Sequence, residues 1–214
     1  MAKAKQIFST VVVLFILVGL PAVSYYYLST GYQYRKDAIL TQGDFGKMPD
    51  LSDLPAVRGR QPADYRGAMS VVGWLDPTKP ATSKQYGRML DSLYAQFSQS
   101  PNLYFTTLVG GDDPGATAEA FADRYHLPED DMISFLAADD GAFQRVAREF
   151  QLPLAGGNQP GEIPMVALVD SSLTIVKHYD LARRDETIGL VQLISLIIPL
   201  PAKQDLILDR KKEL

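Results

Sequence analysis

The chain has 214 residues, 46% of them hydrophobic and 21% charged, with a formal net charge of -4 at pH 7. Those are ordinary values for one globular domain with an appendage. It contains no cysteine, which excludes disulfides, thiolate nucleophiles and thiolate metal ligands together. Lysine and arginine are scattered, so no basic stripe marks a nucleic-acid partner.

Residues 1–6 read as a short cytoplasmic tail and residues 7–28 as a transmembrane anchor. The second stretch carries no charge, and a spanning helix needs ~20 mainly apolar residues. Lys3 and Lys5 precede it, and the positive-inside tendency holds that end in the cytoplasm; Arg35 and Lys36 follow on the far side. Tyr25, Tyr26 and Tyr27 fall where the helix should leave the hydrocarbon, as an aromatic belt does. The competing reading is a cleaved signal peptide with Ala22-Val23-Ser24 as its cleavage site, but the apolar run is long for that. Either way the remainder is exported, to a periplasm or its equivalent. Residues 29–47 are polar and mixed, and read as a stalk.

From 48 to 67 the chain is rich in Pro, Gly and Asp with little periodicity. Residues 69–75 (MSVVGWL) form a short apolar run typical of a buried strand. Tyr86, Met89, Leu90, Leu93, Tyr94 and Phe97 then recur at helical spacing, with Thr82 and Gln85 in the form of a capping box. Residues 103–109 (LYFTTLV) are the next strand. Asp112, Asp113 and Pro114 open a helix carrying Phe121, Ala122 and Tyr125 on one face. Residues 133–137 (ISFLA) read as a strand, and Phe143, Val146, Ala147 and Phe150 mark another helix. Residues 164–169 and 173–179 are strands joined hairpin-fashion by Asp170-Ser171-Ser172. The apolar stretch 188–198 is too short to span a membrane and closes the domain as a packed helix. This alternation predicts an α/β domain over residues 48–200, its mainly parallel central sheet covered on both faces, followed by a polar tail at 201–214.

The order strand, helix, strand, helix, inserted strand and helix, hairpin, helix resembles the thioredoxin-like fold, with an insertion of the peroxiredoxin and Sco/SenC kind. Met48-Pro49-Asp50-Leu51 resembles the Pro-Asp-Phe opening of these families. Gly59 and Gly67 fall where they place glycines before the first core strand. Pro164, after Ile163, resembles the proline that in thioredoxins is cis and faces the active site. One amino-terminal helix plus one exported domain is also the architecture of Sco/SenC proteins, the membrane-anchored copper chaperones of cytochrome c oxidase assembly. Their Cys-Pro-x-x-Cys motif corresponds here to Asp76-Pro77-Thr78-Lys79-Pro80, which keeps the intervening proline and changes both cysteines, to Asp76 and Pro80. Their copper-binding His corresponds to about Ile163. The resemblance therefore implies the fold and the position of the former site, while the residues deny the family's chemistry.

Asp76 would sit at a helix amino-terminus, where the dipole favours an anion. A lone carboxylate without His or a second acid makes neither a copper site nor an acid/base pair, so a turn-capping role is the expectation. Trp74, the only tryptophan, reads as core, with a place on a partner-binding surface as the alternative. Thr78, Lys79, Gly156, Gly157 and Asn158 complete that candidate surface. The acidic pairs at 112–113, 130–131 and 139–140 lack calcium-loop spacing and read as helix caps. His126 and His178 lie too far apart in sequence to suggest a metal site. No His neighbours a serine to support nucleophilic hydrolysis, and the terminal residues 211–214 only approximate a retention tail. No metal or cofactor is expected.

Three roles follow. The first is a non-catalytic, Sco-like, membrane-anchored protein working by contact with membrane or exported proteins, such as the subunits of a respiratory complex. The second is an enzyme using Asp76 with Lys79 or Asp170. The third is a permanent subunit of a membrane complex whose anchor packs against other helices through small residues such as Gly19 and Ala22.

Overall fold

The computed structural model describes residues 12–40, 43–100, 102–154 and 158–198, and of residues 32–40 the backbone alone. The chain divides into two compact units, 1–42 and 43–214.

The first unit is helical. It runs from Val12, is π-helical over Phe15–Gly19, and continues as α1 (Leu20–Leu40). Val12–Gly31 has a mean hydropathy of 1.9 and is long and apolar enough to cross a membrane. Residues 7–11 of the expected anchor lie outside the described residues. Residues 29–40 of the expected stalk continue the helix, which passes Leu28 without a break and ends at Leu40. No proline follows Pro21 until Pro49, and one glycine, Gly31, costs a helix only about 1 kcal/mol.

The second unit is built on a six-stranded sheet. Its strands are β1 (Ala56–Gly59), β2 (Met69–Leu75), β3 (Leu103–Val109), β4 (Ile133–Ala137), β5 (Met165–Val169) and β6 (Ile175–Asp180), in the order β1-β4-β3-β2-β5-β6. The three central strands are parallel. Both edges are antiparallel, β1 against β4 and the β5–β6 hairpin against β2. Every residue of β2 is buried, which is why it reads as an unbroken apolar run.

Helices cover both faces. On one, α2 (Pro80–Phe97), α3 (Pro114–Arg124) and α5 (Arg184–Ile197) contribute Leu90, Leu93, Phe97, Phe121 and Ile194 to a common core. On the other, α4 (Asp140–Glu149) contributes Phe143 and Val146, joined by Phe150, Leu51 and Leu54. Gly73 in β2 leaves room for the Tyr86 phenol, which a Cβ would strike; Tyr86 Oη in turn meets Thr107 Oγ1 at 2.6 Å, a buried bond that fixes α2 to β3.

β1 is absent from the sequence reading. It has four residues, of which Val57 is the only large apolar one, too little for a period-2 pattern. What fastens it is Arg58, which pairs with Glu119 at 3.1 Å and donates to the carbonyls of Leu127 and Pro128. Gly59 closes the strand at φ +70, packed on the Ile133 carbonyl. Elsewhere the differences lie at ends: α2 begins at Pro80, α5 at Arg184, and β6 starts at Ile175. The Thr82–Gln85 capping box does not form, because Pro80 takes the first helical position and Thr82 Oγ1 donates instead to the Glu162 carbonyl at 3.1 Å.

Candidate functional site

Register decides which loops meet. The parallel strands β2, β3 and β4 all end at one edge of the sheet, where doubly covered α/β sheets place their crevices. β5 runs the other way, with Gly73 opposite Val166, so the chain entering β5 through Pro164 arrives at that same edge. Four segments converge there: the β2–α2 turn, Gly110 to Asp112, the start of α4, and residues 159–162. They enclose an open cavity of about 600 Å³. Asp76, Pro77, Thr78 and Lys79 line one side, Gln159, Pro160 and Glu162 another.

The turn is locally determined. Asp76 Oδ1 accepts from Thr78 N at 2.8 Å and from Thr78 Oγ1 at 2.7 Å, while its carbonyl accepts from Lys79 N and Ser83 Oγ. That is an Asx turn, the use for which an aspartate before proline is suited. The turn-capping role is the one the sequence suggested for Asp76; the helix amino-terminus itself lies further on, at Lys79, which caps with no side chain.

The opposite loop is latched to the turn. Lys79 Nζ lies 2.9 Å from Glu162 Oε1, and the other carboxylate oxygen of Glu162 accepts from Gln159 N at 2.9 Å. The Gln159 amide, and after it Lys79, holds the Glu162 carboxyl below the ordinary carboxylate range, while Glu162 raises the Lys79 ammonium. Gly161, at φ +84, lies flat against Asp76, whose Cβ any side chain at Gly161 would strike. Ile163 is half-buried and bridges to Pro160, while Pro164 is buried. No cis peptide bond occurs among the described residues, so Pro164 departs from the thioredoxin pattern in that respect.

Other sequence candidates are sorted as follows. Trp74 is 3% exposed and meets the Phe150 ring edge-on at 5.3 Å, so it is core and is removed from the contact surface. Gly156 and Gly157 lie outside the described residues; Asn158 is half-buried beside the latched loop. Asp170, proposed to work with Asp76, sits in the β5–β6 turn at the opposite end of the sheet, capping Ser172 and Thr174. Asp113 and Asp139 cap α3 and α4 as expected, whereas Asp130 belongs to the turn before β4, bonding Met132 N and the Tyr94 hydroxyl. Copper, which the Sco/SenC resemblance implies, does not fit: Pro80 and Ile163 offer no side-chain donor, and one oxygen of Asp76 is committed to Thr78. Among the described residues no three His, Cys, Asp or Glu side chains are grouped to share a metal.

Two features escaped the sequence. One is Glu162, whose importance appears only when β5 is known to return beside β2. The other is a second cavity of about 410 Å³ between α2 and α3, lined chiefly by apolar groups including Pro80, Ala116, Ala120, Phe121 and Tyr125. Pro77 borders both cavities. Helical spacing places Phe121, Ala122 and Tyr125 on one face, and no signal in the sequence separates core from groove.

The domain is a thioredoxin-like fold preceded by an apolar helix that is a candidate membrane span. No family model matches the sequence, and no curated protein does. The structure is similar to one described as a protein disulfide isomerase from Bacteroides thetaiotaomicron, with 16% identity and a TM-score of 0.54 over 73% of this chain and 93% of that one. It is also similar to a protein described as an electron transport protein from Aquifex aeolicus, with 11% identity, TM-score 0.52, and coverage of 72% and 98%. A third is the thioredoxin domain of a thiol-disulfide oxidoreductase from Bacteroides vulgatus, with 14% identity, TM-score 0.50, and coverage of 70% and 96%. At these identities the likeness is one of fold.

Proposed function

We propose that this protein is a membrane-anchored, non-catalytic member of the thioredoxin-like class that works by protein contact at the edge of the sheet bearing residues 76–80. Its neighbours in structure are described as thiol-disulfide and electron-transport proteins; this chain has no cysteine with which to do such work. The observation that carries the reading is what occupies the turn: an Asx-bonded aspartate, a proline at each end of the Thr78-Lys79 pair, and a lysine neutralised by Glu162. The turn carries no cysteine or histidine, and it leaves two open cavities side by side, the larger lined also by Asp112 and Asp140. Recognition without reaction is the use such a surface retains. The Sco/SenC resemblance narrows the partner to subunits or precursors of a respiratory complex of the cytochrome oxidase kind, with the domain on the exported face.

The test is extraction of the full chain from its native membrane in mild detergent, followed by native electrophoresis and mass spectrometry of the band. Co-migration with respiratory-complex subunits, abolished by Thr78→Arg, is the expected result. A chain that migrates alone, or with partners indifferent to Thr78→Arg, contradicts the reading.

A further inference from the structure

Residues 43–48 are not a free linker. Gly43 N donates to the Val176 carbonyl at 2.8 Å, Phe45 N to Ile175, and Met48 N to Leu173, while Ile175 N returns a bond to the Gly46 carbonyl. Side chains add clamps. Gln151 Nε2 donates to the Phe45 carbonyl at 2.7 Å. Lys47 Nζ reaches the Ser172 carbonyl at 3.0 Å and Thr174 Oγ1 at 2.8 Å. The Phe45 ring stands edge-on to His178 at 4.7 Å. Residues 43–48 therefore cover the outer edge of the sheet from Leu173 to Val176, where β6 begins, an edge that would otherwise expose unpaired backbone groups.

The hold is shallow. Only Lys47 and Thr174 form a regular bridge. Phe45 remains 36% exposed, Lys47 is exposed, and Met48 alone packs against the core, half-buried. A segment with few buried apolar contacts and solvent-facing hydrogen bonds belongs to the class that opens without global unfolding.

We propose that residues 43–48 are a displaceable strap that sets the length of the membrane tether. Closed, it holds the chain to the sheet from Gly43 onward. Open, it releases six residues, adding up to ~20 Å of reach at ~3.4 Å per residue. The reach of the contact surface would then be regulated by one edge of the fold. This rests on reading the apolar helix as an anchor.

Hydrogen exchange on the full chain in lipid nanodiscs tests the strap. The amides of Gly43, Phe45, Met48 and Ile175 are expected to exchange as one group, more slowly than free peptide and well before those of β2 and β3. Gln151→Ala should speed that group by roughly 3- to 10-fold, the worth of one lost hydrogen bond, and leave β2 and β3 unchanged. Exchange at the free-peptide rate, exchange only on global unfolding, or indifference to Gln151→Ala overturns the proposal. Reach is tested separately. Lys47 and Thr174 are antiparallel partners, spaced for a disulfide, and the chain has no other cysteine. In a Lys47→Cys, Thr174→Cys chain, relaxation of domain amides by spin-labelled lipid headgroups should be stronger oxidised than reduced. Equal relaxation in both states overturns the reach claim. No relaxation in either, with the exchange result intact, overturns the anchor reading and the reach claim with it.

Discussion

Trp74 stands one residue before the end of β2 and could have faced either way; the structure sends it inward against Phe150. Replacing it with alanine should cost about 3–5 kcal/mol, the usual loss for a large buried aromatic, measured by urea unfolding followed through circular dichroism. Because it is the only tryptophan, wild-type fluorescence should be blue-shifted when native and should report unfolding directly. At the turn, the signs of the latch are definite. Glu162 is held below the ordinary carboxylate range, so its contribution is present above roughly pH 4.3 and is lost as pH falls through the folded value. Lys79 is raised, so its contribution is present below roughly pH 10.4 and lost as pH climbs through the folded value. Carboxyl-carbon NMR should find Glu162 titrating low in the wild type. In Lys79→Ala it should move upward without reaching the ordinary value, since the Gln159 amide remains. No movement would show that the pair is a static contact of no electrostatic consequence. The Asx-bonding role of Asp76 was legible, because aspartate before proline has one common local use; Glu162 was not, because nothing local to Gly161-Glu162-Ile163 names Lys79 as its partner.

Among the elements, those that bury a full side-chain pattern were readable to within a few residues. β2 and β3 coincide with their apolar runs, and α4 begins where Asp139 caps it. The failures occur where tertiary structure overrides local preference. β1 is held by one arginine, α2 starts at a proline rather than at its capping box, and the strap is held by side chains contributed from two other segments. Gly59→Ala tests the first of these. A side chain at φ +70 against the Ile133 carbonyl should weaken the β1–β4 pairing, seen as faster amide exchange confined to β1 and its partners. Unaltered exchange would show that the edge has room to yield. His178 joins β6 to the end of α4 through Nε2, which donates to the Phe150 carbonyl at 2.7 Å. Burial lowers its pKa, outweighing that bond. Stability should therefore be full above roughly pH 6.5, the ordinary histidine value, and fall as pH drops from there toward the folded value. The urea midpoint should decline between pH 7.5 and 5.5 in the wild type and stay nearly level in His178→Gln; equal declines would assign the effect elsewhere.

For the whole molecule, the central question is what a thioredoxin-like domain does without cysteine. Its topology brings the β2–α2 turn and the chain before β5 to one edge of the sheet, and there the polar cavity and the apolar groove share Pro77 as a common wall. The position of that surface could be read from the strand order and the Asp76-Pro77-Thr78-Lys79-Pro80 motif. Its depth and its apolar half could not, since helical spacing marks a groove wall and a core face alike. The most direct measurement uses a photo-crosslinking amino acid in the full chain in its native membrane, placed at Thr78 and, as a control, at Asp91 on the exposed side of α2. The account predicts one dominant protein adduct from position 78 and none of that mass from position 91. Adducts that are the same from both positions, or absent from position 78 while the protein is folded and membrane-bound, would contradict it.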